Sequence, residues 1–178
     1  MVWLALGLVV SGAVNEAREA PRLRGAIGLA GGVGYSFREP ALGFAPGVTF
    51  DIGATINDRQ AVVFRGVLTS LFLSNIISLG ASFETLVGEH LGLSVGGAVA
   101  VIGGGLEAPA GIAATVPVRL SYLFFSRPDD QLARRGLALF FELAPGVTFA
   151  GGQGRGGARP FGPPLAVTAV LGLSYVWW

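Results

Sequence analysis

The chain has 178 residues, enough for about one domain; 52% of them are hydrophobic and only 13% are charged, against about 25% in typical soluble domains. Twelve Lys and Arg against eleven Asp and Glu give a net charge of +1; this composition excludes intrinsic disorder and offers no electrostatic footprint for nucleic acid. With no cysteine and one histidine, the sequence predicts neither a disulfide scaffold nor a metal site nor a cofactor.

The first 21 residues are predicted to lie outside the main domain. Residues 2–10 are apolar, and Ser11-Gly12-Ala13 offers a small-x-small cleavage site, although a basic segment before them is missing. We interpret residues 1–21 as a signal-peptide remnant or N-terminal linker. A short membrane-associated helix and a helix that plugs a lumen are the alternatives.

Large and small residues alternate from residue 23 to residue 37. Odd positions such as Ile27, Leu29 and Val33 are bulky and apolar, whereas the even positions are glycine, alanine, serine or Arg24. A period of two indicates a β-strand and not a helix. The same alternation, less regular in the third segment, predicts seven more strands over residues 44–56, 60–73, 77–87, 91–101, 112–124, 137–149 and 165–177.

Three prolines fall within these predicted strands. Pro46 and Pro145 occupy the same place in two copies of the hexapeptide Ala-Pro-Gly-Val-Thr-Phe, and we expect both at one rim, where a missing N–H matters least. Pro117 lies in the middle of a segment, where we expect a local bulge.

The face opposite the bulky residues is too small and too uncharged to cover a soluble sheet. We therefore interpret the bulky face as lipid-facing and the small face as lining a narrow lumen. In hydrocarbon such a sheet must close to avoid unpaired backbone groups. The prediction for residues 22–178 is an all-β, eight-stranded antiparallel up-and-down transmembrane β-barrel. A helical membrane bundle is the alternative fold.

Charged residues recur on the inward face. A buried charge requires a partner, and antiparallel pairing is expected to bring together Asp51 and Arg65, Arg65 and Glu84, and Arg119 and Glu142. We predict an interior ion-pair network that fills and rigidifies the barrel. Its members are Arg24, Asp51, Arg65, Glu84, Arg119 and Glu142.

Aromatic residues lie near the strand ends, as the interfacial girdles of membrane barrels predict. One rim is expected to carry Tyr35, Phe37, Phe44 and Phe149, and the other Tyr122, Phe124, Tyr175 and Trp177.

On these features residues 22–178 resemble the small bacterial outer-membrane β-barrels of the OmpA transmembrane-domain and OmpX type. The end Ser174-Tyr175-Val176-Trp177-Trp178 resembles the C-terminal signal that the barrel-assembly machinery reads. In that family the last aromatic residue shares the apolar face, whereas here Trp177 does and Trp178 does not. The resemblance implies an outer-membrane location, periplasmic termini and the assembly machinery as a partner during insertion, and it implies no particular activity.

Catalytic chemistry is not predicted. His90 and Ser94 are four strand positions apart, roughly 13 Å by the rise per residue, which is too far for a nucleophile and its base. The glycine-rich run at residues 151–157 lacks the Gly-Lys-Ser/Thr ending of a phosphate loop. We hypothesise that Arg155 and Arg159 contact lipopolysaccharide phosphates.

Three functions remain open at this point. The first is a structural or surface-interaction protein that contacts membrane lipid. The second is a narrow pore or carrier for small solutes, favoured by the glycine- and alanine-rich inward face. The third is a lipid-acting enzyme, against which the missing catalytic constellation argues.

Overall fold

In a computed structural model, the segments of alternating residues form the strands of a closed antiparallel barrel. The structure describes residues 22–36, 41–71, 74–103, 111–124, 135–150 and 164–178. These contain nine strands: β1 (Leu23–Ser36), β2 (Ala41–Asn57), β3 (Gln60–Leu71), β4 (Ser74–Val87), β5 (Leu91–Gly103), β6 (Gly111–Thr115), β7 (Val118–Phe124), β8 (Arg135–Ala150) and β9 (Leu165–Trp177).

Strands that follow each other in the chain pair with each other, except β6 and β7, and β1 pairs with β9 to close the sheet. Strands β6 and β7 together occupy the place of one strand in the barrel wall, which we call one wall position, because β5 and β8 each pair with both of them. The barrel therefore has eight wall positions, and the prediction of an eight-stranded up-and-down barrel is confirmed. Within the described residues, no helix has the length and apolar character needed to cross a membrane.

The bulky residues face outward and the small residues face inward, as predicted. Leu29, at the middle of β1, is 71% exposed, whereas its neighbour Ala30 is 8% exposed. The same contrast runs around the wall, so leucine, isoleucine, valine and phenylalanine form a continuous outward apolar belt. Because an open sheet edge would be costly in hydrocarbon, closure and the outward apolar belt together define a membrane-spanning barrel.

The prediction of a bulge at Pro117 is wrong. The register of β5 continues from Ala98 opposite Thr115 to Val95 opposite Val118 without a shift. The interruption between β6 and β7 therefore comes from missing hydrogen bonds, since proline has no N–H to donate. Register shifts occur instead between Thr55 and Asn57 and between Ile112 and Ala113.

The two hexapeptides also differ from expectation. Pro46 adjoins the end of the β2–β3 register at Gly47, but it is not at a rim, because it pairs with Gly31 in a β1–β2 ladder that continues to Ala41. Pro145 is not at a rim: the β6–β8 ladder continues past it as far as Ala150, and its carbonyl accepts a hydrogen bond from Val116. The prediction that both prolines lie at a rim is therefore wrong, because a ladder continues for five residues beyond each of them.

The approach of β2 to β3 depends on Gly53. An added Cβ there would overlap the carbonyl oxygen of Val62 and the Cα of Val63. We expect Gly53→Ala to lower the free energy of unfolding by about 1–3 kcal/mol, because the backbone must shift. Urea titration of the refolded barrel in lipid measures this.

Gly97 is the matched control for Gly53. It lies on β5, and an added Cβ there would meet nothing within 4 Å. Gly97→Ala is expected to stay within about 0.5 kcal/mol of the parent chain. Equal losses at the two glycines would contradict the steric explanation.

Candidate functional site

The inward charged residues meet inside the barrel. They come from six strands, since β1, β2, β3, β4, β7 and β8 each contribute one. We call them the luminal charge cluster: Arg24, Asp51, Arg65, Glu84, Arg119 and Glu142. Each is between 2% and 4% exposed, and the three guanidinium groups balance the three carboxylates.

Two pairs of the cluster lie directly opposite each other on neighbouring strands. Arg65 donates from Nε to Asp51 Oδ1 at 2.9 Å and from Nη2 to Asp51 Oδ2 at 3.0 Å. Arg119 donates from Nε to Glu142 Oε2 at 2.9 Å. These are two of the three contacts that antiparallel pairing led us to expect, and the first has the bidentate geometry of strong guanidinium–carboxylate pairs.

Other contacts of the cluster cross the lumen between strands that are not neighbours. Arg24 Nη2 lies 2.6 Å from Glu84 Oε2, which links β1 to β4. Arg119 Nη1 lies 3.4 Å from Asp51 Oδ2, linking β7 to β2, and Arg65 Nη1 lies 3.6 Å from Glu142 Oε2, linking β3 to β8. The cluster therefore ties opposite walls together.

The third expected contact, between Arg65 and Glu84, is replaced by others. In the β3–β4 register Glu84 lies opposite Ala61, while Arg65 lies opposite Gly80. The ladder thus staggers the two charges along the strands. Glu84 pairs across the lumen with Arg24. Arg65 donates from Nη1 to Ser94 Oγ at 2.8 Å.

Asp51 is the centre of the cluster. It contacts all three arginines, with Arg24 Nη2 at 3.8 Å in addition to Arg65 and Arg119. The cluster is balanced in charge but not completely hydrogen-bonded, since Nε and Nη1 of Arg24 and Nη2 of Arg119 have no hydrogen-bond partner among the described residues.

Aromatic rings cover two of the arginines. Arg119 Cζ lies 4.2 Å from the ring centroid of Phe140, and Arg24 Cζ lies 5.5 Å from that of Trp178. Both distances are within the range of cation–π contacts. Sequence analysis did not predict the contact of either ring with an arginine. The sequence did indicate their direction, because inward residues of β8 and β9 have even numbers and both aromatic residues are even-numbered.

Apolar side chains fill the lumen on either side of the charges. At the end where β1 begins, Trp178 packs in a buried cluster with Ala26, Ala61, Val63, Leu86, Ala138 and Val176. Phe140 packs with Ala30, Val67 and Val170. Farther along β1, Ile76 and Ile102 reach to within 3.2 Å of where a Cβ on Gly34 would be. The described part of the lumen is therefore packed with side chains.

Part of the predicted girdle lies on the outer surface near the end of the barrel where β1 begins. Tyr122 and Phe124 contact edge to face with ring centroids 5.2 Å apart, and Tyr175 lies 6.4 Å from Trp177. At the other rim Phe149 is exposed and Tyr35 is half-buried. Phe37 and the side chain of Phe44 lie outside the described part of the structure.

The residues considered for catalysis do not come together within the described part of the structure. His90 lies in the exposed turn after β4 and contacts no carboxylate among the described residues. Its Nδ1 lies 3.1 Å from the carbonyl oxygen of Leu123, and its ring stacks on Tyr122 with ring centroids 5.9 Å apart. Ser94 is inside the barrel and hydrogen-bonded to Arg65. Nor do His, Asp and Glu form a group of three suited to a metal ion in the part of the chain described.

Some predicted features lie outside the described residues. These are the N-terminal segment 1–21 and the glycine-rich run at 151–157, together with Arg155 and Arg159.

The fold and its lumen define the class: this is a small, closed, eight-stranded barrel of the outer-membrane type. No family model and no curated protein matches the chain. Neisserial surface protein A (NspA) has a similar solved structure, with 15% identity over 89% of this chain and 99% of that chain and a TM-score of 0.51.

Ail, the attachment invasion locus protein of Yersinia pestis, was solved in complex with the heparin analogue sucrose octasulfate. It is 12% identical over 89% of this chain and 99% of that chain, with a TM-score of 0.51. The outer membrane protein OprG from Pseudomonas aeruginosa is a third similar structure, with 11% identity and a TM-score of 0.36. The first two likenesses establish the fold, and they transfer no ligand or activity to this chain.

Proposed function

We propose that the chain is a bacterial outer-membrane protein with a structural or surface-interaction role, built on a barrel that does not conduct. The observation that carries this proposal is the packed lumen. The six charges cancel, and three ion pairs cross from wall to wall. Phe140 and Trp178 lie against two of the arginines, and Ile76 fills the lumen farther along β1. A charge-balanced cluster of buried ion pairs favours rigidity over ion passage, because permeation requires water or exchangeable ligands along the path.

The narrow pore is the competing function, and bilayer conductance separates the two. We expect the refolded protein to give no stable single-channel steps in planar bilayers and no swelling of sugar-loaded liposomes. Insertion is verified in the same samples by heat-modifiable migration on a denaturing gel, and a general porin serves as the assay control. Reproducible conductance steps from inserted protein would overturn the closed-scaffold proposal.

The proposed location has its own test. Cell fractionation should place the protein with the outer membrane, and depletion of the barrel-assembly machinery should reduce its folded, heat-modifiable form. The outward apolar belt supports contact with membrane lipid. Recovery in the inner membrane would contradict the proposed location.

Lipopolysaccharide remains a predicted partner. Replacing Arg155 and Arg159 together by alanine is the test, because it removes two cations while leaving the described barrel intact. Unchanged lipopolysaccharide binding in the double variant would discard their role. A lipid-acting enzyme is not proposed, since the lone His90 and the buried Ser94 belong to separate surroundings.

A further inference from the structure

The wall position formed by β6 and β7 is interrupted near the middle of its length. Val116 and Pro117 separate the two strands, yet β5 and β8 run past the interruption in unchanged register. On the β8 side Thr115 lies opposite Gly146 and Val118 lies opposite Leu143. No residue is inserted, so the alignment of the wall is intact and only its hydrogen bonding is reduced.

One hydrogen bond is missing on each side of the interruption. Val116 N–H donates to the carbonyl of Pro145 at 2.8 Å, and the return bond would require an N–H on Pro145. Gly96 N–H donates to the carbonyl of Pro117 at 3.1 Å, and the return bond would require an N–H on Pro117. A hydrogen-bonded antiparallel pair normally exchanges two bonds, and proline cannot supply its share.

The carbonyls of Val116 and Gly96 are the groups that lose their ladder donors. In hydrocarbon no water replaces the missing donor, so each unpaired carbonyl is energetically costly. Outward side chains give little cover there, because Gly97 has none and Val116 is half exposed to the surroundings. The wall position formed by β6 and β7 therefore has one weakened contact with β5 and one with β8.

We propose that this seam, the contacts of Val116 and Pro117 with Gly96 on one side and with Pro145 on the other, is where the barrel wall opens first. Opening separates β6 and β7 from a neighbour at mid-wall while the rest of the ladder stays paired. It brings the carbonyls of Gly96 and Val116 within reach of hydroxyl or amide donors from the surroundings. The seam is a site of local opening in the barrel wall. This proposal does not depend on whether the lumen conducts.

The repeated hexapeptide supplies an internal comparison for the seam. Pro46 is in the same sequence context as Pro145, but neither the residues beside it nor Gly31, its partner on β1, is a proline. Pro46 can therefore remove one hydrogen bond at most, and the double loss that defines the seam is not expected there.

Amide hydrogen exchange of the full chain in lipid nanodiscs tests the proposal. After correction for intrinsic rates, the amides of Gly96 and Val116 are expected to exchange about tenfold faster than those of Val118 and Leu143, which form the next complete pair. The double variant Pro117→Val with Pro145→Val restores both donors. It should bring the two fast amides to within about twofold of the reference pair.

Pro46→Val is the matched control, because it replaces a proline of the same sequence context on β2, away from the strands that form the seam. It should leave the exchange of Gly96 and Val116 unchanged. If these two amides exchange no faster than Val118 and Leu143 in the parent chain, the seam does not open first and the proposal fails. It fails equally if the Pro46 variant slows them as much as the double variant does.

Discussion

Asp51→Ala is expected to destabilise the barrel by about 3–5 kcal/mol, the cost typical of breaking a buried ion pair from one side. Asp51 faces Arg24, Arg65 and Arg119. Its removal leaves three arginines with two carboxylates in a lumen where each charged residue is nearly inaccessible. Urea titration of the refolded protein in lipid, followed by the gel shift of the folded barrel, measures the loss.

Two further variants separate burial from charge. Asp58→Ala removes an exposed carboxylate from the turn between β2 and β3 and should cost less than about 0.5 kcal/mol. The double variant Asp51→Leu with Arg65→Met removes a matched pair and leaves two arginines with two glutamates. It should be more stable than Asp51→Ala alone, because no charge is left in excess. A single Asp51 variant as stable as the parent would show that the cluster does not support the fold.

Leu29→Arg is expected to cost about 2–4 kcal/mol, as for an arginine placed at the bilayer midplane on the outer face of a barrel. Leu29 lies at the middle of β1 and is among the most exposed residues of the apolar belt. The same substitution in a soluble barrel, where this face would meet water, would be nearly neutral. The measurement therefore tests which solvent surrounds the wall.

Ile56→Arg provides the control for depth. Ile56 is also exposed and outward, but it lies one residue before the end of β2, beside the turn to β3. Near an interface an arginine is expected to cost only about 0–1 kcal/mol. Refolding yield and urea midpoints of both variants in the same lipid give the comparison. A larger loss at Ile56 than at Leu29 would contradict the placement of the belt.

Neighbouring-strand contacts in the lumen could be predicted from the sequence because they follow from local geometry. Once the turns were assigned, Asp51 fell opposite Arg65 and Arg119 fell opposite Glu142, and the structure has both contacts. The Arg65–Glu84 expectation did not hold, because pairing of β3 with β4 offsets the two residues along the strands. A small error in an assumed turn centre is enough to change a partner.

The surroundings of the prolines and of the last tryptophan could not be predicted in this way. Pro46 and Pro145 have identical neighbours in sequence, yet the β2–β3 register stops at Gly47 beside Pro46, whereas the β6–β8 ladder continues past Pro145 to Ala150. Trp178 follows the last strand, and its burial depends on the space left inside the closed barrel. These outcomes depend on which strands meet.

The sequence by itself determined the strand character of the wall, its eight positions, and which side chains point inward, because side-chain direction in a strand depends only on a period of two. Tertiary structure alone decided which charges meet across the lumen: Arg24 with Glu84, Arg65 with Glu142 and Arg119 with Asp51. The physical reason is closure. Strands far apart in the chain come face to face only when the sheet curls into a barrel, and the curl and stagger are properties of the whole wall.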